Sequence, residues 1–302
     1  MRNLRFFIAL SAIALQFTFS PAEAQSSREI SVSVQGTARR AVLFNEFGQG
    51  RTAPVVIVLH GGQGSAEAQQ ERSGFDRLAI SEGFTVVYPE GAEWAPGRHA
   101  WDTGFLLRRQ VGEANDIAYL DTLIDLLIRD HGADPHKIFM TGGSNGAMMT
   151  LVYATQRAER LAAIAPVVGA MFSFETKPSR PLPIMLINGG QDNEVPIEGG
   201  FSRNPLVARN QAAPFKSLAE TVQFWTKVNR SQALPVVTRA GSVTTAVYRA
   251  TPDGAVTISV VDDLGGHGWP GTPPRRQGNS PIQSFDGAER VWEFFKANCR
   301  EP

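Results

Sequence analysis

The chain has 302 residues, 42% of them hydrophobic and 19% charged, with Lys plus Arg and Asp plus Glu each totalling 29. That composition belongs to a globular protein with a sizeable core, not to a disordered or fibrous one. Zero formal net charge removes any general pull toward nucleic acid or an anionic membrane, so a neutral or weakly charged partner fits best.

The first residues run from a basic start ending at Arg5 through an apolar stretch, residues 6–19, to Ser20-Pro21-Ala22-Glu23-Ala24. This reads as a signal peptide over 1–24 with an A-x-A cleavage site. Interrupted by Gln16 and Pro21, the run falls short of the roughly 20 apolar residues of a membrane span. A secreted or periplasmic protein without stable membrane insertion is expected, the mature chain forming a single domain over 25–302. No repeat, low-complexity tract or linker divides it.

Residues 30–34 (I-S-V-S-V) alternate like an edge strand, and 38–44 can pair with them as a hairpin. Then the pattern changes. Residues 55–59, 84–88, 137–140, 163–168 and 184–187 are short apolar runs without alternation, as expected of strands buried on both faces of a parallel sheet. Between two of them Ile117, Leu120, Ile124 and Leu127 form a helical stripe. Strand and helix in turn predict an open, mostly parallel central sheet flanked by helices. Farther on, Ser217 and Glu220 bracket a capping box, and 244–250 and 256–261 flank a turn at 251–254. A last helix spans 286–298, with Ala288, Val291, Trp292 and Phe295 on one face. Cys299 extends that face and is expected to be buried; as the one cysteine it forms no internal disulfide.

Residues 137–141 read as a strand and 147–156 as a helix, and Gly142-Gly143-Ser144-Asn145-Gly146 joins them. This is G-x-S-x-G in the setting of a nucleophile elbow, where small neighbours let strand and helix approach and the serine hydroxyl project. The pattern alone is common; its context makes Ser144 the candidate nucleophile. A serine needs a base, and there are five histidines. His131 and His136 precede the strand that leads to Ser144, at the wrong sheet edge. His99 sits in a polar stretch with no strand end beside it, although it could line a cleft. His60 opens His60-Gly61-Gly62, a turn suited to presenting N–H groups. His267, in Gly265-Gly266-His267-Gly268-Trp269 after the last expected strand, gives the order Ser, Asp, His of the α/β-hydrolase fold. Asp192 follows the 184–187 strand and is the candidate acid; Glu194 is its nearest competitor, and Asp262 and Asp263 stand too close to His267 along the chain. The N–H groups of Asn145 and Gly62 are the candidate oxyanion donors.

With these motifs in order, the chain resembles the exported polyhydroxybutyrate depolymerase and feruloyl or acetylxylan esterase group of α/β-hydrolases. The matching segments include Leu59-His60-Gly61-Gly62, Val87-Tyr88-Pro89-Glu90-Gly91, Gly143-Ser144-Asn145-Gly146-Ala147, Gln191-Asp192-Asn193-Glu194-Val195-Pro196 and Gly265-Gly266-His267-Gly268-Trp269. The resemblance implies triad roles for Ser144, Asp192 and His267, an oxyanion hole from the His60 loop and Asn145, and no metal or cofactor. It departs from the group at Asn188-Gly189-Gly190, where His-Gly-Thr is usual, at Ala147 and Gly268, and in lacking cysteine pairs. Without the linker and polymer-binding domain of enzymes that attack solid polyester, hydroxyalkanoate oligomers or small esters are the implied substrates, feruloyl or acetylxylan esters the alternative. Trp101, Trp269 and Tyr88 are candidates for an aromatic wall that binds substrate. An exported serine peptidase and a non-catalytic binding protein on the same fold are the rival readings, and oligomeric state has no handle in the sequence.

Overall fold

The computed structural model describes residues 26–46, 52–112, 114–273 and 280–299; the leader read at 1–24 lies outside them. Ser27–Val34 (β1) and Thr37–Phe44 (β2) form the expected antiparallel hairpin, turning on Gln35 and Gly36, both with positive φ. Mirror-image turns of that kind match the twist of the strands they join. In β1 the inward positions Ile30, Val32 and Val34 are buried while the alternate ones face solvent.

Ala53–Leu59 (β3) has no such alternation and is sealed on both sides. Val55, Ile57 and Leu59 pack on one face with Leu120, Leu123 and Ile124, while Val56 and Val58 pack on the other with Phe75, Val291 and Phe295. Full burial of each such side chain contributes about 1.5–3 kcal/mol against the entropy of ordering it. Ala66–Ser73 (α1) and Phe75–Glu82 (α2) lead to Thr85–Pro89 (β4). A small hairpin, Ala92–Ala95 (β5) and Arg98–Ala100 (β6), carries His99 within a strand, which corrects the expectation that no strand end lies near it. The one-turn helix Arg108–Val111 (α3) precedes Asp116–Asp130 (α4), whose buried face holds Leu120, Ile124 and Leu127 of the expected stripe, with Ile117 partly buried at its edge.

Ala133–Gly143 (β7) runs into Asn145–Gln156 (α5) through Ser144 alone. Ala163–Val167 (β8) and Ile184–Gly189 (β9) follow. After Pro205–Ala208 (α6), the capping box of Ser217 and Glu220 opens Leu218–Val228 (α7), each residue satisfying the other's backbone N–H. Val236–Ala240 (β10), Val243–Tyr248 (β11), Thr257–Asp262 (β12) and Gly287–Ala297 (α8) complete the order.

The ten-stranded sheet runs β1-β2-β4-β3-β7-β8-β9-β12-β11-β10. Its six central strands, β4 through β12 in that order, are parallel, and two antiparallel strands close each edge. Cys299 is exposed, contrary to expectation, because α8 ends at Ala297 and Asn298 turns the chain away from the buried face. Among the described residues no helix is long and apolar enough to cross a membrane. In an open parallel sheet, ligands bind beyond the carboxyl ends of the strands. His60 follows β3 there, Ser144 follows β7, Asp192 lies just past β9 and His267 just past β12.

Candidate active site

Ser144 adopts φ 56° and ψ −118°, a conformation that costs a non-glycine residue about 1–3 kcal/mol. Packing on both sides holds it there. A Cβ at Gly142 would lie 2.8 Å from backbone atoms of Gly146 and Leu59, and one at Gly146 would lie 2.5 Å from the carbonyl oxygens of Leu59 and His60. The two flanking glycines are therefore required by the approach of β7 and α5 to β3. The Ser144 N–H donates to the Val167 carbonyl at 3.0 Å, and its own carbonyl accepts from Met148 at 3.0 Å.

Asp192 and His267 are brought together by two neighbouring strands. Gly189 of β9 pairs in register with Asp262 of β12, and a Cβ at Gly189 would meet the Gly265 carbonyl at 2.4 Å. Their loops are stitched by Gly190 N–H to Asp262 O and Gln191 N–H to Gly265 O, each 2.8 Å. Asp192, buried, then receives three N–H groups: those of Glu194 and Val195 on Oδ1 and His267 Nδ1 on Oδ2, all at 2.8 Å. Burial pulls the His267 pKa down, but the charge and hydrogen bond of Asp192, with the charge of Glu194, outweigh it and hold the imidazole above its usual 6.5. Glu194, weighed from the sequence only against Asp192, stands on the other side of the ring, with Oε2 3.6 Å from His267 Nε2. Asp262 and Asp263 are occupied elsewhere, with Ser284 and Arg239.

The loop after β3 closes the opposite wall. His60 is buried, and burial pushes its pKa down to about 4, so it is neutral at physiological pH. Its Nε2 accepts the Gly91 N–H at 2.9 Å, which leaves the proton on Nδ1 to donate to the Gly61 carbonyl at 2.8 Å. That carbonyl also accepts from Gly64 at 3.1 Å. Because a trans peptide sets N–H opposite C=O, the Gly62 N–H leaves from the other edge of the same plane. Among the described residues no protein acceptor takes it. The Asn145 N–H is the first of α5, where a helix has no internal acceptor to offer. A Cβ at Gly62 would lie 3.6 Å from that of Asn145. Gln63 N–H to His99 O (2.8 Å) and His99 N–H to Gly64 O (3.3 Å) anchor the loop to β6. Beneath it Glu90 accepts from the Ala66 N–H at 3.0 Å and reaches His60 and His99 at 3.4 Å each.

Ser144, His267, Gly62, Glu194, Arg98 and Trp269 all border one cleft of about 480 Å³. Trp101 does not reach it. Its side chain is fully buried; the indole N–H donates to His60 O at 2.9 Å, and its backbone exchanges two hydrogen bonds with the Asn145 amide. In place of the expected substrate contact, Trp101 ties the His60 loop to the serine turn. Tyr88 is likewise buried, donating to Asp76 at 2.7 Å. Of the expected aromatic wall, Trp269 alone borders the cleft, its indole N–H fixed on Ser73 O at 3.0 Å. Among the described residues no group of three His, Cys, Asp or Glu side chains is placed to hold a metal ion.

Residues 44–191 match the family model described as Esterase PHB depolymerase. That segment holds Ser144 and both candidate oxyanion donors and stops one residue before Asp192. The chain is 29% identical over 289 residues to NocK of Nocardia uniformis subsp. tsuyamanensis, named as an esterase, across 87% of this chain and 81% of that one. It is 27% identical over 245 residues to poly(3-hydroxyalkanoate) depolymerase C of Paucimonas lemoignei, across 75% of this chain but only 57% of that one. Among solved structures, an acetyl xylan esterase from Aspergillus awamori superposes with a TM-score of 0.60 at 17% identity, covering 89% of this chain and 99% of that one. The backbone likeness, the family-model match over residues 44–191 and the relatives' names agree: the chain is a carboxylic ester hydrolase on the α/β-hydrolase fold, similar over that segment to the esterases described as PHB depolymerase.

Proposed function

We propose that Ser144, His267 and Asp192 form a catalytic triad that hydrolyses carboxylic esters by acyl transfer to water. Ser144 Oγ attacks the ester carbonyl while His267 Nε2 takes its proton. The N–H groups of Gly62 and Asn145 receive the developing oxyanion, a contribution worth about 10²–10³ in rate per donor. Collapse of the intermediate breaks the ester C–O bond, and the leaving alcohol takes the proton back from Nε2. Water then attacks the acyl-serine, giving up its proton to the same nitrogen; as the acyl C–Oγ bond breaks, Nε2 returns that proton to Ser144 Oγ and the acid departs. Asp192 holds Nδ1–H and stabilises the imidazolium in between.

The observation that carries this reading is the 2.8 Å contact between His267 Nδ1 and Asp192 Oδ2, at the edge of a cleft that His267 and Ser144 both border. Small or oligomeric esters fit that cleft, hydroxyalkanoate oligomers first and acetyl or feruloyl esters of saccharides second. Its polar lining, with Gln63, Gln69, Arg98 and Glu194, favours hydrated, soluble substrates over a waxy polymer surface. Residues 1–24 support export to the periplasm or beyond the cell, leaving residues 25–302 as the catalytic domain.

The test is a panel of p-nitrophenyl acetate and butyrate, methyl ferulate, acetylated xylan, hydroxybutyrate oligomers and peptide anilides, each with wild type and Ser144→Ala. Ester hydrolysis is expected to fall on the order of 10⁴–10⁶-fold in the variant, with the anilides untouched by either protein. Ester hydrolysis that survives Ser144→Ala would refute the assignment.

A further inference from the structure

We infer that Glu90 is a positioning residue for the reaction at Ser144: its carboxylate, outside the cleft, sets the loop of residues 60–66 so that the Gly62 N–H meets the oxyanion. The inference rests on the reading of Ser144, His267 and the two N–H donors given above.

Glu90 follows β4 at the sheet edge where the site lies, and β2 fixes its backbone: its N–H donates to Arg40 O at 3.0 Å and its carbonyl accepts from the Arg39 guanidinium at 3.1 Å. The side chain is 5% exposed and does not border the cleft. From there one carboxyl group meets the loop at both ends and, through His99, in the middle. Oε1 accepts the Ala66 N–H at 3.0 Å and lies 3.4 Å from His60 Nε2 and 3.4 Å from His99 Nδ1. His99 Nδ1 is also 3.3 Å from Gly64 O; two acceptors face it, so it carries a proton toward them. Gly62 lies between these anchors.

The partners call for a charged acceptor. Arg40, the Ala66 N–H and His99 Nδ1–H all donate toward the carboxyl, and hydrogen bonds to an ionised acceptor are about twice as strong as neutral ones. The remaining neighbour, His60 Nε2, already takes the Gly91 N–H. Burial raises the Glu90 pKa, which His99 and Arg40 offset in part. The hairpin has other ties, since Arg40 also pairs with Glu67 and Glu29. Glu90→Gln therefore leaves β2 tethered but turns an NH₂ group toward a ring of donors, and the loop must shift to relieve it. A shift of about 1 Å in a positioning group can cost on the order of 10²-fold in rate.

The experiment measures hydrolysis of p-nitrophenyl butyrate at pH 8, which keeps Glu90 ionised and His267 neutral, per Ser144 titrated with a fluorophosphonate. It also measures inhibition by a trifluoromethyl ketone, whose adduct with the serine places an oxyanion in the same position. Glu90→Gln is expected to lower kcat about 10–100-fold with KM within roughly twofold, and to raise the Ki of the ketone by the same factor as kcat/KM falls. His99→Phe, which removes the Nδ1–H and keeps a ring, should act likewise by a smaller factor. The double variant should fall short of the product of the two, because both act on one loop. A carboxyl that merely held the fold together would change the titrated fraction or the melting temperature and leave kcat and Ki per site as in wild type. That result would overturn the inference, as would a loss of kcat with no matching rise in Ki. Should Glu90→Gln not fold, the same two constants in His99→Phe decide it. Ester hydrolysis undiminished in Ser144→Ala would instead overturn the triad reading, and this inference with it.

Discussion

The two halves of the site are held by different physics. The serine turn is fixed by backbone contact: its glycines are squeezed between β3, β7 and α5 at distances that leave no room for a Cβ, and Ser144 is strained into place between them. Asp192 and His267, the proposed acid and base, follow adjacent strands whose loops meet through glycine, but the pair itself is set by charge and hydrogen bonding: a buried carboxylate saturated by three N–H donors, and an imidazole flanked by two carboxylates. The first half should therefore fail through shape and the second through protonation, and variants can be chosen to separate the two.

The largest effect is expected on the charged side. In Asp192→Asn the amide oxygen keeps the Glu194 and Val195 N–H bonds, so the NH₂ group is forced to face His267 Nδ1. The imidazole must then carry its proton on Nε2 and can no longer accept one from Ser144. A loss of kcat on the order of 10⁴ follows, with the melting temperature changed by only a few degrees; stopped-flow and thermal melts measure both. On the packed side Gly146→Ala should behave in the opposite way. Its Cβ would lie 2.5 Å from two carbonyl oxygens, destabilising the fold by about 3 kcal/mol or displacing the turn, as denaturant titration would reveal. If Gly146→Ala melted like wild type with full activity, the two-physics contrast would break. The smallest effect sharpens the contrast without mutation. Since His267 must be neutral and is held above its ordinary value, kcat/KM should fall tenfold per unit as pH drops, with a midpoint above 6.5. A rate flat down to pH 5 would contradict the base assignment.

The packed half was the more legible in sequence. A glycine on either side of a serine, after an unalternated apolar run and before a helix, states a backbone requirement that no distant residue can alter. The central parallel strands were legible for the same reason, since burial on both faces leaves a local signature. β10 was not read, because its side chains are exposed along its whole length and no inward pattern betrays it. The β5–β6 hairpin is too short for periodicity to register. Trp101 was read as a substrate contact because an aromatic in a polar loop has no local mark of which way it faces; two partners more than forty residues away, His60 and Asn145, decide it. Glu194 was legible only as a rival to Asp192, since its position at the second ring nitrogen exists only after β9 and β12 have paired. Cys299 was misplaced by a single helical turn, where capping by Asn298 prevails over the apolar stripe.

The central claim, that Ser144 is the nucleophile activated by His267 and Asp192, is tested most directly by reacting the wild-type protein with a fluorophosphonate and mapping the adduct by peptide mass spectrometry. The account predicts one label, on Ser144, formed at a rate that follows the His267 acid limb and lost in Ser144→Ala. A label on another residue, or a protein that takes up none while still hydrolysing esters, would contradict it.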